Sequence, residues 1–497
     1  MRLPLFVVSV AVFIGSSTHV SAARLGARQS RTTPLLTSFP GQAPLPSMEQ
    51  HANQRGANIL PLDNIQGDIL IGMKKQKERF VFFHVNDAAS FKSALKTYVP
   101  ERITSAATLI SDPAQQPFIR ENPPYRAPGT RNQLGITDNM GDAQFPNGQF
   151  ADAAALGDDI SQWVAPFTGT TVHGVFLIGS DQDDFLDQFT DDISSAFGAS
   201  ITQVQALSGS ARPGDQAGHE HFGFLDGISQ PAVTGWETTV FPGQAVVPPG
   251  IILTGRDGDT GTRPSWALDG SFMAFQHFQQ KVPEFNAYTL ANAIPANSAG
   301  NLTQQEGAEF LGARMFGRWK SGAPIDLAPT ADDPALGVDL QRNNDFDYSD
   351  TLTDQIKCPF GAHVRKTNPR QDLGGPVNTF HAIRSSIPYG PETSNAELAS
   401  GVTSQDRGLL FVEYQSIIAN GFRFQQINWA NNANFPFSKP VVPGIEPIIG
   451  QASPRTVSGL DPLDQTKTFT VPLFVIPKGG EYFFMPSISA LTSTIAI

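Results

Sequence analysis

The sequence predicts an α+β protein of two successive units, each an antiparallel sheet covered by helices. Three observations lead there. Residues 79–208 contain strand-like and helix-like runs in alternation. A second series of such runs follows from residue 271 onward. No short-period repeat is present, which excludes solenoids and propellers.

The elements follow in chain order. RFVFFHV (79–85) is a strand of β-branched and aromatic residues. It leads into DAASFKSALKTYV (87–99), a helix with Asn86 or Asp87 as N-cap and Phe91, Leu95 and Val99 four apart. Residues 111–165 are rich in Pro, Gly, Asn and Asp and predict a long decorated connection. HGVFLIGS (173–180), DFLDQFTDDISSAFG (184–198) and ITQVQALS (201–208) then predict strand, helix and strand. In the second series SFMAFQHF (271–278) is a strand, and helices are expected near 283–294 and 304–316. TFHAIR (379–384) and GLLFVEYQ (408–415) are strand candidates, and SIIANGFRFQQINW (416–429) is a helix candidate despite Gly421.

The amino terminus differs from the rest. Residues 1–22 hold an apolar run, Leu3–Ile14, before the small residues Ser21, Ala22 and Ala23, the pattern of a secretory signal peptide. Residues 23–56 are Pro-, Ser- and Gln-rich without periodicity and are expected to be a pro-segment trimmed near Arg55. The expected domains are then 57–215 and 216–497. Removing residues 1–55 takes away five of 34 basic and one of 46 acidic residues, so the formal charge moves from −12 to −16. Such a chain repels nucleic acid and anionic membranes, so neither is an expected partner. The lone Cys358 permits no intrachain disulfide. Against 36 Phe there are 7 Tyr, 5 Trp and 7 Met, so easily oxidised side chains are scarce, a hint of oxidant exposure or of compositional drift. Asn301 carries the one glycosylation sequon.

One stretch, GHEHFGFLDGISQP (218–231), raises a chemical question. His219 and His221, two apart on a strand, would share a face and could chelate a metal with Asp226, although no HExxH or CxxC spacing supplies further ligands. Asp226 could instead be a catalytic carboxylate. Packing by Phe222, Phe224 and Leu225 would then raise its pKa by desolvation. Or it could cap a glycine turn. In CPFGAHVRKTNPR (358–370), His363 precedes Arg365, Lys366 and Arg370, a basic run suited to an anionic cofactor. In HAIRSSIPYGP (381–391), Arg384 stands just before a Pro-Tyr-Gly turn.

These segments together resemble the dye-decolourising peroxidase family, in particular its secreted fungal members. The resemblance runs from about residue 57 to the C-terminus. It rests on NIQGDIL (64–70), GFLDGISQP (223–231), ARMFGRWKSGAP (313–324), CPFGAHVRKTNPR, RSSIPYGP (384–391), RGLLFVEYQSII (407–418), NWANNANFP (428–436) and GGEYFFMPSISAL (479–491) in order.

That resemblance implies two ferredoxin-like units of the dimeric α+β barrel type, with one haem b per chain in the C-terminal unit. It implies His363 as the proximal iron ligand, Asp226 as the distal acid-base residue and Arg384 as its partner. Leu409 and Phe411 would line the distal side, Glu446 would hold the ligand imidazole, and Arg365 would bond a haem propionate. Hydrogen peroxide and small or bulky aromatic reductants would be the substrates. Trp429, at the family's surface-tryptophan position, and Tyr389 would carry electrons to bulky donors, with core packing as their alternative role. The protein is expected outside the cell as a monomer, with a weak dimer as the alternative. Competing readings are a mononuclear metal enzyme on His219, His221 and Asp226, a haem-thiolate enzyme on Cys358, and a non-catalytic haem-binding or surface-interaction protein.

Overall fold

Two antiparallel sheets packed face to face organise the chain. The computed structural model describes residues 36, 38–53, 59–111, 118–121, 139–375 and 378–496. The expected signal peptide and much of the 23–56 stretch lie outside the described residues.

The first sheet has the order β2-β3-β1-β4, from β1 (Lys77–Val85), β2 (Phe118–Glu121), β3 (Gly174–Ser180) and β4 (Ile201–Ser210). The second contains β5 (Ser271–Gln280), β6 (Ile383–Arg384), β7 (Ile387–Tyr389), β8 (Gly408–Gln415) and β9 (Val475–Met485). Its order is β6-β8-β5-β9, with β7 also paired to β8. Because side chains alternate along a strand, β1 serves two cores at once. Phe80 and Phe82 enter the core between the sheets, where Phe82 lies 5.0 Å from Phe275 of β5 and 6.2 Å from Phe483 of β9. Val81, Phe83 and Val85 face the other way, onto α1 (Ala88–Arg102) and α2 (Asp183–Phe197) through Phe91, Leu95, Phe189 and Ile193. Removing the Phe82 ring would cost about 3–5 kcal/mol.

Helix starts follow local chemistry. The Asp87 carboxylate accepts the Ser90 N–H at 2.7 Å and so caps α1. In the second unit α3 (Val282–Ala291) precedes α4 (Gln304–Phe316), which begins in a Thr303/Glu306 capping box. Gly317, at φ +87°, ends α4 in a left-handed turn.

Several elements depart from expectation. Strand β2 and a helix at Gln149–Leu156 lie within the expected 111–165 connection, and β7 runs into the expected Pro-Tyr-Gly turn. Only Ile383–Arg384 of TFHAIR is strand. Asn378–Phe380 is a tight turn, where the Gln425 side chain donates to the Phe380 carbonyl and the Phe380 ring stacks on Phe424. The expected 416–429 helix starts only at Phe422, whose N–H donates to the Gln415 side chain at 2.7 Å, and it widens into a π-helical coil over Gln425–Ala430. Strand β9 was not foreseen, because Pro477 and the Gly479-Gly480 pair interrupt its pattern. The pairing register shifts there, between Pro477 and Gly480.

The alternation on β8 decides what the site contains. Leu410, Val412 and Tyr414 fill the core between the sheets, so Leu409, Phe411 and Glu413 share the opposite face.

Candidate active site

That opposite face of β8 forms one wall of a cavity of about 230 Å³. The loop carrying Asp226, the short helix α5 (His363–Thr367) and the widened coil complete it. His363, Asp226, Arg384, Leu409 and Phe411 all line it, so five of the residues singled out in the sequence converge.

Asp226 owes its position to the glycine-hinged loop. Its N–H donates to the Gly218 carbonyl at 2.9 Å, and Gly227 follows in a left-handed turn at φ +75°. One carboxylate oxygen, Oδ1, accepts the Gly227 N–H at 2.6 Å and Arg384 Nη1 at 2.7 Å. The other, Oδ2, has no hydrogen-bond partner among the described residues. Arg384 is anchored in turn: its Nη2 donates to the Ser229 carbonyl at 3.2 Å, and the Gln230 side-chain amide bonds both its N–H and its carbonyl. Burial alone would push the Asp226 carboxyl up. Arg384 and the Gly227 N–H outweigh burial, and the group sits below its ordinary value. This corrects the expectation, drawn from neighbouring aromatic residues, of a raised pKa.

Across the cavity, His363 opens α5. Its Nδ1 lies 3.3 Å from Glu446 Oε1, within ion-pair reach but short of a well-formed hydrogen bond. Glu446 is fully buried, and the N–H groups of Ile448, Ile449 and Gly450 converge on its carboxylate. Burial raises its pKa, but His363 and these donors pull it below the usual value. The second imidazole nitrogen, Nε2, has no hydrogen-bond partner among the described residues.

Several lining residues escaped the sequence reading. Glu413, opposite Arg384 in the strand pairing, is buried and pushed up to about 7 by burial, with Arg384 opposing. Glu220 is likewise raised by burial to about 7, although it accepts the Phe222 and Phe224 N–H groups. Arg318 and His381 also face the cavity, as does Arg370, which the sequence does mark in its basic run. The usable signal for Glu413 was the alternation Leu409, Phe411, Glu413. For Glu220 there was none.

Residues 64–213 match the model of the DyP dimeric alpha+beta barrel domain, and residues 219–441 match that of the Dyp-type peroxidase C-terminal domain. The chain belongs to the dye-decolourising peroxidase family. A dye-decolorizing peroxidase of Auricularia auricula-judae is 50% identical over 93% of this chain and 91% of its own length. Peroxidase 2 of Mycetinis scorodonius is 50% identical over 94% of each. A solved dye-decolorizing peroxidase in complex with 2,6-dimethoxyphenol is 88% identical, with a TM-score of 0.87 over 88% of this chain and all of its own. Another solved relative, 49% identical with a TM-score of 0.84 over the same shares, concerns engineering of the heme pocket of a dye-decolorizing peroxidase. The family match excludes the non-catalytic reading.

The side chains of this dye-decolourising peroxidase fit a haem. An imidazole nitrogen without a protein partner faces a wall of Phe278, Phe316, Leu409, Phe411 and Ile448, with arginines beside it. Arg365 is not among them, which corrects its assignment to a propionate. Its guanidinium is fully buried outside the cavity, paired to Asp372 at 2.7 Å and donating to the Cys358 and Thr351 carbonyls. Arg370, five residues on, lines the cavity instead.

The two metal alternatives fall as well. His221 Nε2 is engaged by the Tyr389 carbonyl at 2.8 Å, and among the described residues no His/Cys/Asp/Glu group could hold a metal ion. Cys358 lies outside the cavity, and burial pushes its thiol up to about 12, so it is not a thiolate.

Trp429 is not a surface residue. Only 5% of it is exposed, and it stacks on Phe435 at 5.2 Å, which in turn meets the exposed Phe437. Tyr389 is half-buried; its hydroxyl donates to Asp406 at 3.0 Å and its ring meets His277 edge-on at 4.8 Å.

Proposed function

We propose that this chain is a secreted haem peroxidase that uses hydrogen peroxide to oxidise dyes, phenols and other aromatic donors in one-electron steps. One observation carries the reading: His363, backed by Glu446, faces the Asp226–Arg384 pair across one cavity. His363 Nε2 would hold the iron of one haem b per chain, and Arg318 and Arg370 would face its propionates. When bound, the haem would supply the redox chemistry, a two-electron reduction of peroxide balanced by one-electron oxidations of two aromatic donors. Glu446 fixes the imidazole and strengthens its donation. Asp226 accepts a peroxide proton on its unengaged Oδ2 and returns it to the departing oxygen, so that water leaves. Arg384 holds Asp226 ionised and stabilises the negative charge that develops as the O–O bond breaks. Leu409 and Phe411 keep bulky molecules from this side, so large dyes would deliver electrons through Trp429 or Tyr389. The leader pattern of residues 1–22 supports export, and the net negative charge supports a monomer outside the cell.

The test is an absorption spectrum of the purified protein before and after one equivalent of peroxide. A histidine-ligated Soret band that shifts with peroxide is expected. Protein that stays colourless when hemin is supplied would sink the reading.

A further inference from the structure

The stretch ahead of the first sheet, LTSFPGQAPLP (36–46), carries no charge and three prolines, Pro40, Pro44 and Pro46. Leu36 and residues 38–46 fold back onto the body. Leu36 pairs antiparallel with Lys75 and is buried with Ile71 and Leu109. Gln42 N–H closes a turn onto the Phe39 carbonyl at 3.1 Å, with Gly41 in a left-handed conformation at φ +74°. The Gly41 carbonyl accepts the Asn343 side chain at 3.2 Å.

This turn sits on the outer side of the Asp226 loop. Gln42 Nε2 donates to the Asp226 backbone carbonyl at 3.1 Å. Two loop glycines let it approach. A Cβ at Gly218 would lie 2.7 Å from Phe39 Cβ, and one at Gly227 would lie 2.3 Å from Gln42 Nε2. Asp226 is therefore gripped from both sides, by Arg384 through its carboxylate and by Gln42 through its carbonyl. No residue of the turn lines the large cavity. The segment braces the loop without blocking the site.

We propose that residues 36–46 are an internal peptide ligand of this outer face, a brace that keeps the Asp226 loop in its working conformation until residues 23–56 are removed. The face it covers, formed by Gly218, Gly227, Met73 and Asn343, is a binding surface for an uncharged, proline-rich peptide. Prolines suit this role, because they lower the ordering cost of docking. The importance of the loop rests on the role given to Asp226 above, but the docking does not.

Hydrogen exchange on the full chain tests it, comparing wild type with a Phe39→Ala/Gln42→Ala variant. The amides of Leu225 and Asp226, bonded to the Lys320 and Gly218 carbonyls, should exchange at least about tenfold faster in the variant, with β1 unchanged. A synthetic peptide of residues 36–46 added to the variant should restore slow exchange. The same peptide carrying both alanines should not. Equal exchange in both proteins, a parallel rise in β1, or no rescue by the peptide would each overturn the proposal. None of these readouts needs haem or turnover, so they are separate from the peroxidase test.

Discussion

Arg384 Nη1 lies 2.7 Å from Asp226 Oδ1, joining residues 158 positions apart in the chain. In the proposed mechanism the pair would set the acid limit of the site, because the guanidinium holds the carboxyl below its ordinary value against burial. Asp226→Asn should slow peroxide reduction by about 10²–10⁴-fold, the usual worth of a positioned proton acceptor. Arg384→Leu removes the strongest of the groups opposing burial, so the Asp226 pKa rises and activity is lost at a higher pH on acidification. Stopped-flow mixing with peroxide across pH 3–7 checks both. Wild-type rates in either variant would refute the assignment.

Glu446 receives three backbone N–H groups and keeps its charge beside His363. Glu446→Gln keeps the shape and removes the charge. Haem affinity or peroxide turnover should fall by about 10–100-fold, and the iron reduction potential should rise as the imidazole donates less. A spectroelectrochemical titration that gives the wild-type potential would show that the carboxylate does not tune the metal.

Trp429 is 5% exposed and stacked on Phe435, which in turn meets the exposed Phe437, so a bulky dye donating through the indole would do so across these rings. Trp429→Ser should reduce turnover of large dyes several-fold while leaving small phenols near wild type. The effect of Tyr389→Phe, tested in parallel, separates the two routes. Equal losses for dyes and phenols in the tryptophan variant would mean that it packs the core and carries no electrons.

Glu413 is buried and raised to about 7 from its ordinary 4.5. Folding therefore favours its neutral form. The stability it supports is whole below about pH 4.5 and is lost as pH rises through about 7. Glu413→Gln stays neutral throughout, so its urea midpoint should move above that of wild type between pH 5 and 8, by up to about 3 kcal/mol in free energy. A difference that is flat with pH would show that Glu413 does not titrate in this range.

Local chemistry was enough for much of the molecule. The alternation in RFVFFHV and GLLFVEYQ, the Asp87 cap and the 304–316 helix all reappear in the fold, because each depends on neighbours within a few residues. The residues facing the cavity were legible too, where motifs marked them: His363, Asp226 and Arg384. Distant partners decided the rest. Whether burial or charge governs Asp226 depends on the distance to a guanidinium 158 residues away. Arg365 and Arg370 belong to one basic run, yet Asp372 claims the first and the cavity takes the second. Trp429 is buried because Phe380 and Phe424 meet it edge-on and the chain returns to stack Phe435 on it. Solvation and Coulomb energies depend on separation in space, which the order of residues along the chain does not specify.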